Sequence, residues 1–212
     1  MNITKLGHAC LVVEESGVRV LVDPGSFTTE QNELSGLDAV VITHEHQDHL
    51  NIASLKKVID NNPDIVIIAN ASIGAVLEKE GIAYARVGDG EKIEVKGLAI
   101  TGSGKDHATI CDGFGLVENT GYFIGSRFFY PGDAFHNPGI PVGVLALPVA
   151  GPWMKISEAV DYVKAVRPEV CFPVHDGMYK SGFNIADRIG EALVTPLGID
   201  YVPMKDGENR EF

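Results

Sequence analysis

Short apolar runs separated by turn residues recur along the whole chain and predict many strands. In the first third they cover residues 3–6, 9–14, 18–22, 39–42 and 65–69. In the later part they cover residues 92–101, 115–117, 121–124, 127–130, 144–147 and 170–174, with strand-like residues at 201–204. Turn sequences such as Glu15-Ser-Gly17 and Asp23-Pro-Gly25 mark the boundaries. The pattern therefore predicts a protein rich in short strands.

Apolar residues at helical spacing predict helices over residues 51–60, 72–80, 157–166 and 185–193. Ser157 is the expected N-cap of the third helix, and Gly81 is the expected stop of the second. Strand-rich halves with intervening helices favour two sheets packed face to face, with helices on both outer faces. No Gly/Ser-rich or Pro-rich linker divides the halves, so we expect a single domain over residues 1–212.

The net charge of the chain limits the classes of partner that we expect it to bind. The 212 residues carry a formal net charge of -12, which argues against nucleic acid and anionic lipid as partners because both need basic surface. The amino terminus lacks the apolar stretch of a signal peptide, and no run reaches membrane-spanning length. We expect a cytoplasmic protein whose partner is a small-molecule substrate, with a homo-oligomer left open. Cys10, Cys111 and Cys171 are expected to be buried, reduced thiols.

One turn holds three of the seven histidines of the chain. The run Thr43-His44-Glu45-His46-Gln47-Asp48-His49 follows the apolar segment 37–42 directly. On extended backbone His44 and His46 point to the same side, so both can bind one ion. Asp48 and His49 come where the chain turns into the first helix and point elsewhere. Since one ion takes about four ligands, the run suggests two neighbouring metal ions. The alternative for Asp48 is an N-cap.

Three further candidates stand at the ends of later strands. His107 follows the glycine-rich turn 101–106, Asp133 follows Pro131-Gly132, and His175 follows the strand 170–174. Each one alone also fits an ordinary turn residue. Taken together, they complete two ligand sets: His44, His46 and His107 for one ion, Asp48, His49 and His175 for the other, and Asp133 between the two.

In these motifs the chain resembles the metallo-β-lactamase superfamily. The matching features are T-H-x-H-x-D-H at residues 43–49, the Pro-Gly-Asp that ends at Asp133, and the strand-end His175. The segments Leu6-Gly-His-Ala-Cys10 and Pro148-Val-Ala-Gly-Pro152 resemble the branch that contains L-ascorbate-6-phosphate lactonase. The resemblance implies an α/β fold, a four-layer αββα sandwich (the metallo-β-lactamase fold), with a dinuclear site at one edge of both sheets.

Differences from other members of the superfamily argue against two of its activities. Asp133 stands where antibiotic-hydrolysing β-lactamases of the superfamily typically have cysteine, which argues against antibiotic hydrolysis. His46 stands where the di-iron flavoproteins have a carboxylate, which argues against redox chemistry.

Three residues are candidates for supporting or substrate-binding roles. His8 lies in the Gly-His-Ala segment, where a role near the metals and a place in the core are both open. Asp23 ends a strand and is expected to accept the free ring N–H of a ligand histidine, with turn capping as the alternative. His136, three residues past Asp133, is a candidate for contact with substrate. Trp153 is a candidate for the pocket wall, with a core position as its alternative.

The predicted activity is hydrolysis by a hydroxide shared between two divalent ions, with Asp48 orienting it and carrying its proton. Histidine and aspartate ligands without cysteine suit zinc, while manganese, iron and nickel fit the same ligand types. The expected substrate is a small ester, lactone or related acyl compound. Phosphodiester or nuclease-type hydrolysis is the first alternative, and a non-catalytic metal-binding protein is the second.

Overall fold

A computed structural model describes residues 1–179 and 185–212. Within these residues the chain forms fourteen strands: β1 (Asn2–Gly7), β2 (Cys10–Glu15), β3 (Val18–Val22), β4 (Ala39–Ile42), β5 (Val66–Ala69), β6 (Ala85–Arg86), β7 (Lys92–Val95), β8 (Leu98–Ser103), β9 (Gly121–Ile124), β10 (Phe128–Tyr130), β11 (Val144–Pro148), β12 (Val170–Val174), β13 (Asp200–Tyr201) and β14 (Asn209–Glu211). The α-helices of this part are α1 (Ile52–Asn61), α2 (Ala71–Lys79), α3 (Ile156–Val166) and α4 (Ile185–Ile189). Short 3-10 or π turns cover Glu30–Glu33, Gly190–Val194 and Thr195–Leu197.

The strands form two seven-stranded sheets of mixed direction. The first sheet has the order β14-β1-β2-β3-β4-β5-β6, and the second has the order β13-β12-β11-β10-β9-β8-β7. Strands β3 to β6 run parallel to one another, as do β10 to β13. Parallel strands end at the same edge of a sheet, so residues that follow them are brought together there.

Three apolar layers hold the sandwich together. The central layer joins the inner faces of both sheets, with residues such as Val41 from the first and Phe172 from the second. A second layer packs α1 and α2 on the outer face of the first sheet, and a third packs α3 on the outer face of the second. Strands β4 and β11 are buried at every position because both faces are covered. The predicted four-layer αββα sandwich is confirmed.

The predicted single strand over residues 92–101 is wrong, because the segment forms the hairpin β7–β8. Lys96 and Gly97 make the turn, with φ angles of 49° and 84°. Two-residue hairpin turns of this kind need positive φ, which glycine adopts at low cost. The strand predicted over residues 115–117 is also wrong: the backbone there joins no ladder, and only Glu118 forms an isolated bridge, with Asp106.

Helix starts and one cysteine also differ from expectation. Ser157 lies inside α3, which begins at Ile156, and the Glu158 carboxylate accepts the N–H of Lys155 at 2.6 Å. Asn51, not Asp48, caps α1 by accepting the N–H of Ser54 at 2.9 Å. Cys10 and Cys171 are buried, but Cys111 is exposed on a loop. Among residues 1–179 and 185–212, no helix combines the length and apolar character needed to cross a bilayer.

Candidate metal centre

The predicted site residues meet at one edge of the sandwich, where strands of both sheets end. The histidine run follows β4, Asp133 follows β10, and His175 follows β12. Two of the supporting positions, His8 and Asp23, follow β1 and β3. His8, Asp23 and His175 have φ angles of 51°, 44° and 61°, in the left-handed region that residues other than glycine seldom adopt. Such strain concentrates at functional sites.

Three histidines form the first cluster. The His44 Nε2 and His46 Nδ1 atoms lie 3.1 Å apart, and the His107 ring centroid lies 4.9 Å from that of His44. Thr43 Oγ1 donates to Asp23, so it accepts the His44 Nδ1–H at 3.0 Å and leaves His44 Nε2 unprotonated, as the acceptor facing His46 Nδ1. The Ala108 carbonyl does the same for His107 by accepting its Nδ1–H. These contacts fix the tautomers that metal binding requires.

Asp48, His49 and His175 form the second cluster. The His175 Nε2 atom lies 3.3 Å from Asp48 Oδ2, and the His49 Nε2 atom lies 3.8 Å from the same oxygen. Asp23 accepts the His49 Nδ1–H at 2.6 Å and also accepts the backbone N–H of Thr43 at 2.8 Å. Asp23 thus binds both the His49 imidazole and the backbone of Thr43 at the start of the histidine run.

Asp133 lies between the two clusters. Its Oδ1 atom is 3.1 Å from His49 Nε2, and its Oδ2 atom is 3.1 Å from His175 Nε2 and 3.5 Å from His107 Nε2. Asn119 Oδ1 accepts the Asp133 backbone N–H at 3.0 Å. The preceding Gly132 has φ 66°, and a Cβ there would come within 2.3 Å of that same Asn119 oxygen. The Pro-Gly turn is therefore what allows Asp133 to reach this position.

His8 joins the second cluster, and its ring orientation indicates its role. The backbone N–H of Gly177 donates to His8 Nδ1 at 3.2 Å, so the proton of the neutral ring is on Nε2. His8 Nε2 lies 3.2 Å from Asp48 Oδ2 and donates to it. A nitrogen that carries a proton is not a metal ligand, so the geometry makes His8 a hydrogen-bond donor to Asp48. His8 is buried in the turn between β1 and β2.

Buried polar atoms without partners show that the residues fit a cation. Within the described part of the chain, His49 Nε2, His107 Nε2, His175 Nε2 and Asp133 Oδ1 are buried and have no hydrogen-bond partner. His49 Nε2 and Asp133 Oδ1 are 3.1 Å apart, yet they are not aligned for a hydrogen bond. Unpaired buried polar groups cost free energy. Lone pairs that converge on common points are what metal ligands present, and the donor types fit divalent ions.

Burial and neighbouring charges shift the pKa values of the clustered histidines and aspartates. Burial alone would raise the pKa of the Asp133 carboxyl, but His49 and His175 hold that pKa well below its ordinary value. Burial would lower the pKa of His175, but Asp133 and Asp48 raise it to about 9. Burial keeps the pKa of His44 well below its ordinary value. Without a cation, therefore, His175 carries a proton at neutral pH, whereas His44 stays neutral.

His136 lies outside both clusters. Its Nε2 atom is 3.1 Å from Ser103 Oγ, at the end of β8, and its carbonyl accepts the Tyr162 hydroxyl at 2.7 Å. Phe27 is about half exposed and packs against His8 at a tilt, with ring centroids 4.3 Å apart. The substrate-contact role predicted for His136 stays a prediction, as do the ligand roles of the seven clustered residues.

Two contacts in the site were not predicted. The Trp153 indole Nε1–H donates to Asp133 Oδ2 at 2.7 Å, although the sequence indicated only a pocket wall or the core. Lys5 is fully buried and donates to Asp176 Oδ2 at 2.6 Å, directly after His175. A lysine inside an apolar strand was the available signal, because a buried ammonium requires an acceptor.

Comparisons with known proteins identify the family. Residues 2–175 match the family described as Beta-lactamase superfamily domain. Protein Rv0786c of Mycobacterium tuberculosis is 38% identical over 183 residues, which cover 84% of this chain and 85% of that protein. A UPF0173 metal-dependent hydrolase of Aeropyrum pernix is 26% identical, with 100% of this chain and 97% of that protein covered.

Among solved structures, Igni18, described as a novel metallo hydrolase from Ignicoccus hospitalis, has the same fold. The TM-score is 0.80 at 24% identity, with 100% of this chain and 98% of that chain covered. The fold and the two ligand clusters define the class, that of the metal-dependent hydrolases. The chain belongs to the β-lactamase superfamily.

Proposed function

We propose that this enzyme is a dinuclear hydrolase that acts on a small ester, lactone or related acyl substrate. The observation that carries the proposal is the position of Asp133 between two clusters whose ligand atoms each lie within 4.8 Å of one another. One carboxylate oxygen faces His49 and the other faces His107 and His175. A carboxylate whose oxygens reach histidines of both clusters is suited to bridging two cations.

The two ligand sets follow from the positions of the side chains. His44, His46 and His107 with Asp133 would hold one ion, and Asp48, His49 and His175 with Asp133 would hold the other. Imidazole and carboxylate donors without thiolate favour zinc, and manganese, iron and nickel also fit these donors.

The chemistry that this chain's own residues supply centres on Asp48. Paired divalent ions, when bound, polarise a scissile carbonyl and make a water molecule more acidic. Burial would raise the pKa of the Asp48 carboxyl, but the adjacent imidazoles of His175 and His8 hold that pKa below its ordinary range. Asp48 therefore stays ionised and accepts a hydrogen bond from the attacking water, which it orients. His8 and His175 both face Asp48 Oδ2, at 3.2 Å and 3.3 Å, and the His8 N–H fixes the carboxylate there.

The acyl substrate class rests on three features. The segments around His8 and Gly151 resemble the branch that contains L-ascorbate-6-phosphate lactonase. Phe27, which packs against His8, offers an apolar surface beside the second cluster. The net charge of -12 disfavours polyanionic substrates, and Lys105 and Lys155 are exposed surface residues.

The test compares one preparation against several substrates. Protein stripped by a chelator is reloaded with zinc or manganese, its metal content is measured, and lactones, esters, thioesters, amides and phosphodiesters are assayed. We expect two ions per chain and metal-dependent turnover of a lactone or ester. Turnover of phosphodiesters alone would replace the acyl substrate class and keep the metal site. Two bound ions with no turnover of any substrate would support the non-catalytic alternative, and a single ion at saturation would overturn the dinuclear proposal.

A further inference from the structure

Trp153, the only tryptophan of the chain, contacts the carboxylate that lies between the clusters. It follows β11 on the loop before α3 and is 7% exposed. Its indole Nε1–H donates to Asp133 Oδ2 at 2.7 Å. Its ring also lies edge-on to two histidines, with centroid distances of 6.0 Å to His107 and 6.1 Å to His175. One side chain thus touches the shared carboxylate and a histidine of each cluster.

The loop is shaped to admit the indole nitrogen. Gly151 has φ 151°, and a Cβ at that position would lie 2.6 Å from Trp153 Nε1. Any larger residue there would displace the indole from Asp133. On the other side, the half-buried Phe135 packs against Trp153 with ring centroids 5.2 Å apart. The glycine at position 151 therefore sets where the indole nitrogen can lie, and Phe135 adds packing on the ring.

Asp133 needs an external contact to orient its carboxylate. Rotation of an aspartate carboxylate about its terminal torsion has broad minima, so the side chain alone does not fix where its oxygens point. Asn119 fixes only the backbone of Asp133. In the part of the chain that the structure describes, Trp153 is the one aligned hydrogen-bond donor to this carboxylate. With Oδ2 held by the indole, Oδ1 remains buried and unpaired, facing His49.

We propose that Trp153 is a positioning residue for the paired metal site. Its N–H locks Asp133 in the orientation in which Oδ1 faces His49 while Oδ2 faces His107 and His175. This inference rests on the proposed dinuclear site and adds a residue that acts on it through Asp133. Donors that orient metal ligands typically contribute 10- to 100-fold in metal affinity. Because both ions would share the Asp133 carboxylate, we expect loss of the Trp153 hydrogen bond to weaken mainly the binding of the second metal ion.

The experiment measures metal affinity by competition with a chromophoric chelator, without an activity assay. For Trp153→Phe we expect a second zinc equivalent bound about 10- to 100-fold more weakly than in the wild type. In the wild type, zinc binding should change the emission of the single tryptophan, since the charge next to its N–H changes. Circular dichroism and thermal melts establish that the variant is folded.

Two controls separate the N–H from simple packing. Phe135→Leu disturbs the same aromatic contact and leaves the indole N–H in place, so its second zinc affinity should stay near the wild-type value. Replacement of Trp153 by 3-benzothienylalanine keeps the bicyclic shape and removes the N–H, so it should reproduce the loss seen in Trp153→Phe. Wild-type affinity in this isostere would overturn the role of Trp153.

The outcomes also distinguish this inference from the proposed function. If the wild type binds fewer than two ions, the proposed dinuclear site fails first. If the wild type binds two ions and Trp153→Phe binds both with unchanged affinity, only the inference about Trp153 fails. Equal losses in Trp153→Phe and Phe135→Leu would likewise overturn it, since packing alone would then account for the effect.

Discussion

At the scale of single residues, acceptors behind the site decide which ring nitrogen faces it. Thr43 and the Ala108 carbonyl take the Nδ1–H of His44 and His107, and Asp23 takes that of His49. Each ring then presents Nε2 toward the centre. In His8 the arrangement is the opposite. The Gly177 N–H donates to His8 Nδ1, so the proton is on Nε2 and His8 acts as a hydrogen-bond donor.

The first prediction concerns metal content. His44→Ala and His175→Ala each remove a donor from a different cluster, so each should lose at least one of two bound ions and nearly all hydrolytic turnover. Elemental analysis after zinc loading and desalting measures the content. His136→Ala is the matched control, because it also removes an imidazole beside the site but lies outside both clusters, and it should keep both ions. Full metal content in His44→Ala would contradict the assigned ligand sets.

The second prediction concerns protons. The pKa of His175 in the metal-free protein is raised to about 9, so below that pH a cation must displace a proton to bind. Zinc affinity should therefore increase as pH rises from 7 towards 9, with protons released on binding. Titration calorimetry in buffers of different ionisation enthalpy measures this release. Affinity and proton count that do not change over this range would contradict it.

The raised pKa of His175 also affects the stability of the metal-free fold. Stability falls as pH rises, whereas zinc affinity increases. The folded-state pKa of about 9 exceeds the ordinary value of 6.5, so protonated His175 stabilises the metal-free fold fully below pH 6.5. That contribution is lost as pH rises through about 9. In the metal-loaded protein the ion takes the place of the proton, so this particular pH dependence should be absent.

At the scale of elements, close backbone contacts hold the strand ends together. Gly25, in the turn after β3, packs against the Asp48 peptide so closely that a Cβ would lie 1.8 Å from the Asp48 carbonyl oxygen. On the other sheet, the N–H of His175 donates to the His8 carbonyl at 2.9 Å. The ends of β1, β3 and β12 are thus fastened to the residues that carry the site.

The third prediction tests this packing. Gly25→Ala must displace the peptide that carries Asp48 and His49, so we expect a loss of about 1–3 kcal/mol in unfolding free energy and a weaker second metal site. Chemical denaturation and zinc competition measure the two effects. Gly115→Ala is the control, since a Cβ there meets no atom within 4 Å. Wild-type behaviour of Gly25→Ala in both measurements would show that the turn is more pliable than its contacts indicate.

The fourth prediction concerns the buried ammonium under β12. Lys5 Nζ donates to the Asp176 carboxylate and to the carbonyls of Pro173 and Met204. Lys5→Met leaves these acceptors without a donor and should lower the unfolding free energy by about 3 kcal/mol, as expected for a broken buried pair.

The control for Lys5→Met is Lys56→Met, which removes an exposed pair with Glu80. Exposed pairs contribute about 0–1 kcal/mol, so this variant should remain close to the wild type. Denaturant midpoints measure both variants. Equal denaturant midpoints for Lys5→Met and Lys56→Met would mean that the buried Lys5–Asp176 pair contributes no more to stability than the exposed pair.

At the scale of the whole molecule, the site joins the two sheets. His44, His46, Asp48 and His49 follow the first sheet, whereas His107, Asp133 and His175 belong to the second. Bound ions would therefore cross-link the sandwich along one edge. Because the folded state binds metal and an unfolded chain lacks the preformed site, metal binding and folding are coupled.

The fifth prediction follows from that coupling. At free zinc about 1,000 times the dissociation constant, one bound ion stabilises the fold by about 4 kcal/mol, or roughly 8–16 °C for a chain of this size. Calorimetry with and without a chelator should show a melting difference of this order, and added zinc should restore it. A melting temperature that does not respond to the chelator, in protein shown to lose its ions, would contradict a cross-linking role.

Most strands and the histidine run could be predicted from the sequence because both depend on neighbours along the chain. Alternating or continuous apolar runs predict strands, and two histidines two residues apart share a side. The hairpin at Lys96-Gly97 was missed, although the glycine was a turn signal, because the apolar pattern continues on both sides of it. The strand predicted over residues 115–117 failed since short apolar runs also occur in loops.

By itself, then, the sequence determined the donor types, the strand ends that carry them and the class of fold, since each is a matter of local spacing and chemistry. Only the tertiary structure decided that the Trp153 indole binds Asp133, 20 residues away, and that Lys5 binds Asp176, 171 residues away. It also decided that His8 donates to Asp48. Such contacts depend on how two sheets pack against each other, and packing geometry is a property of the whole chain that no local pattern specifies.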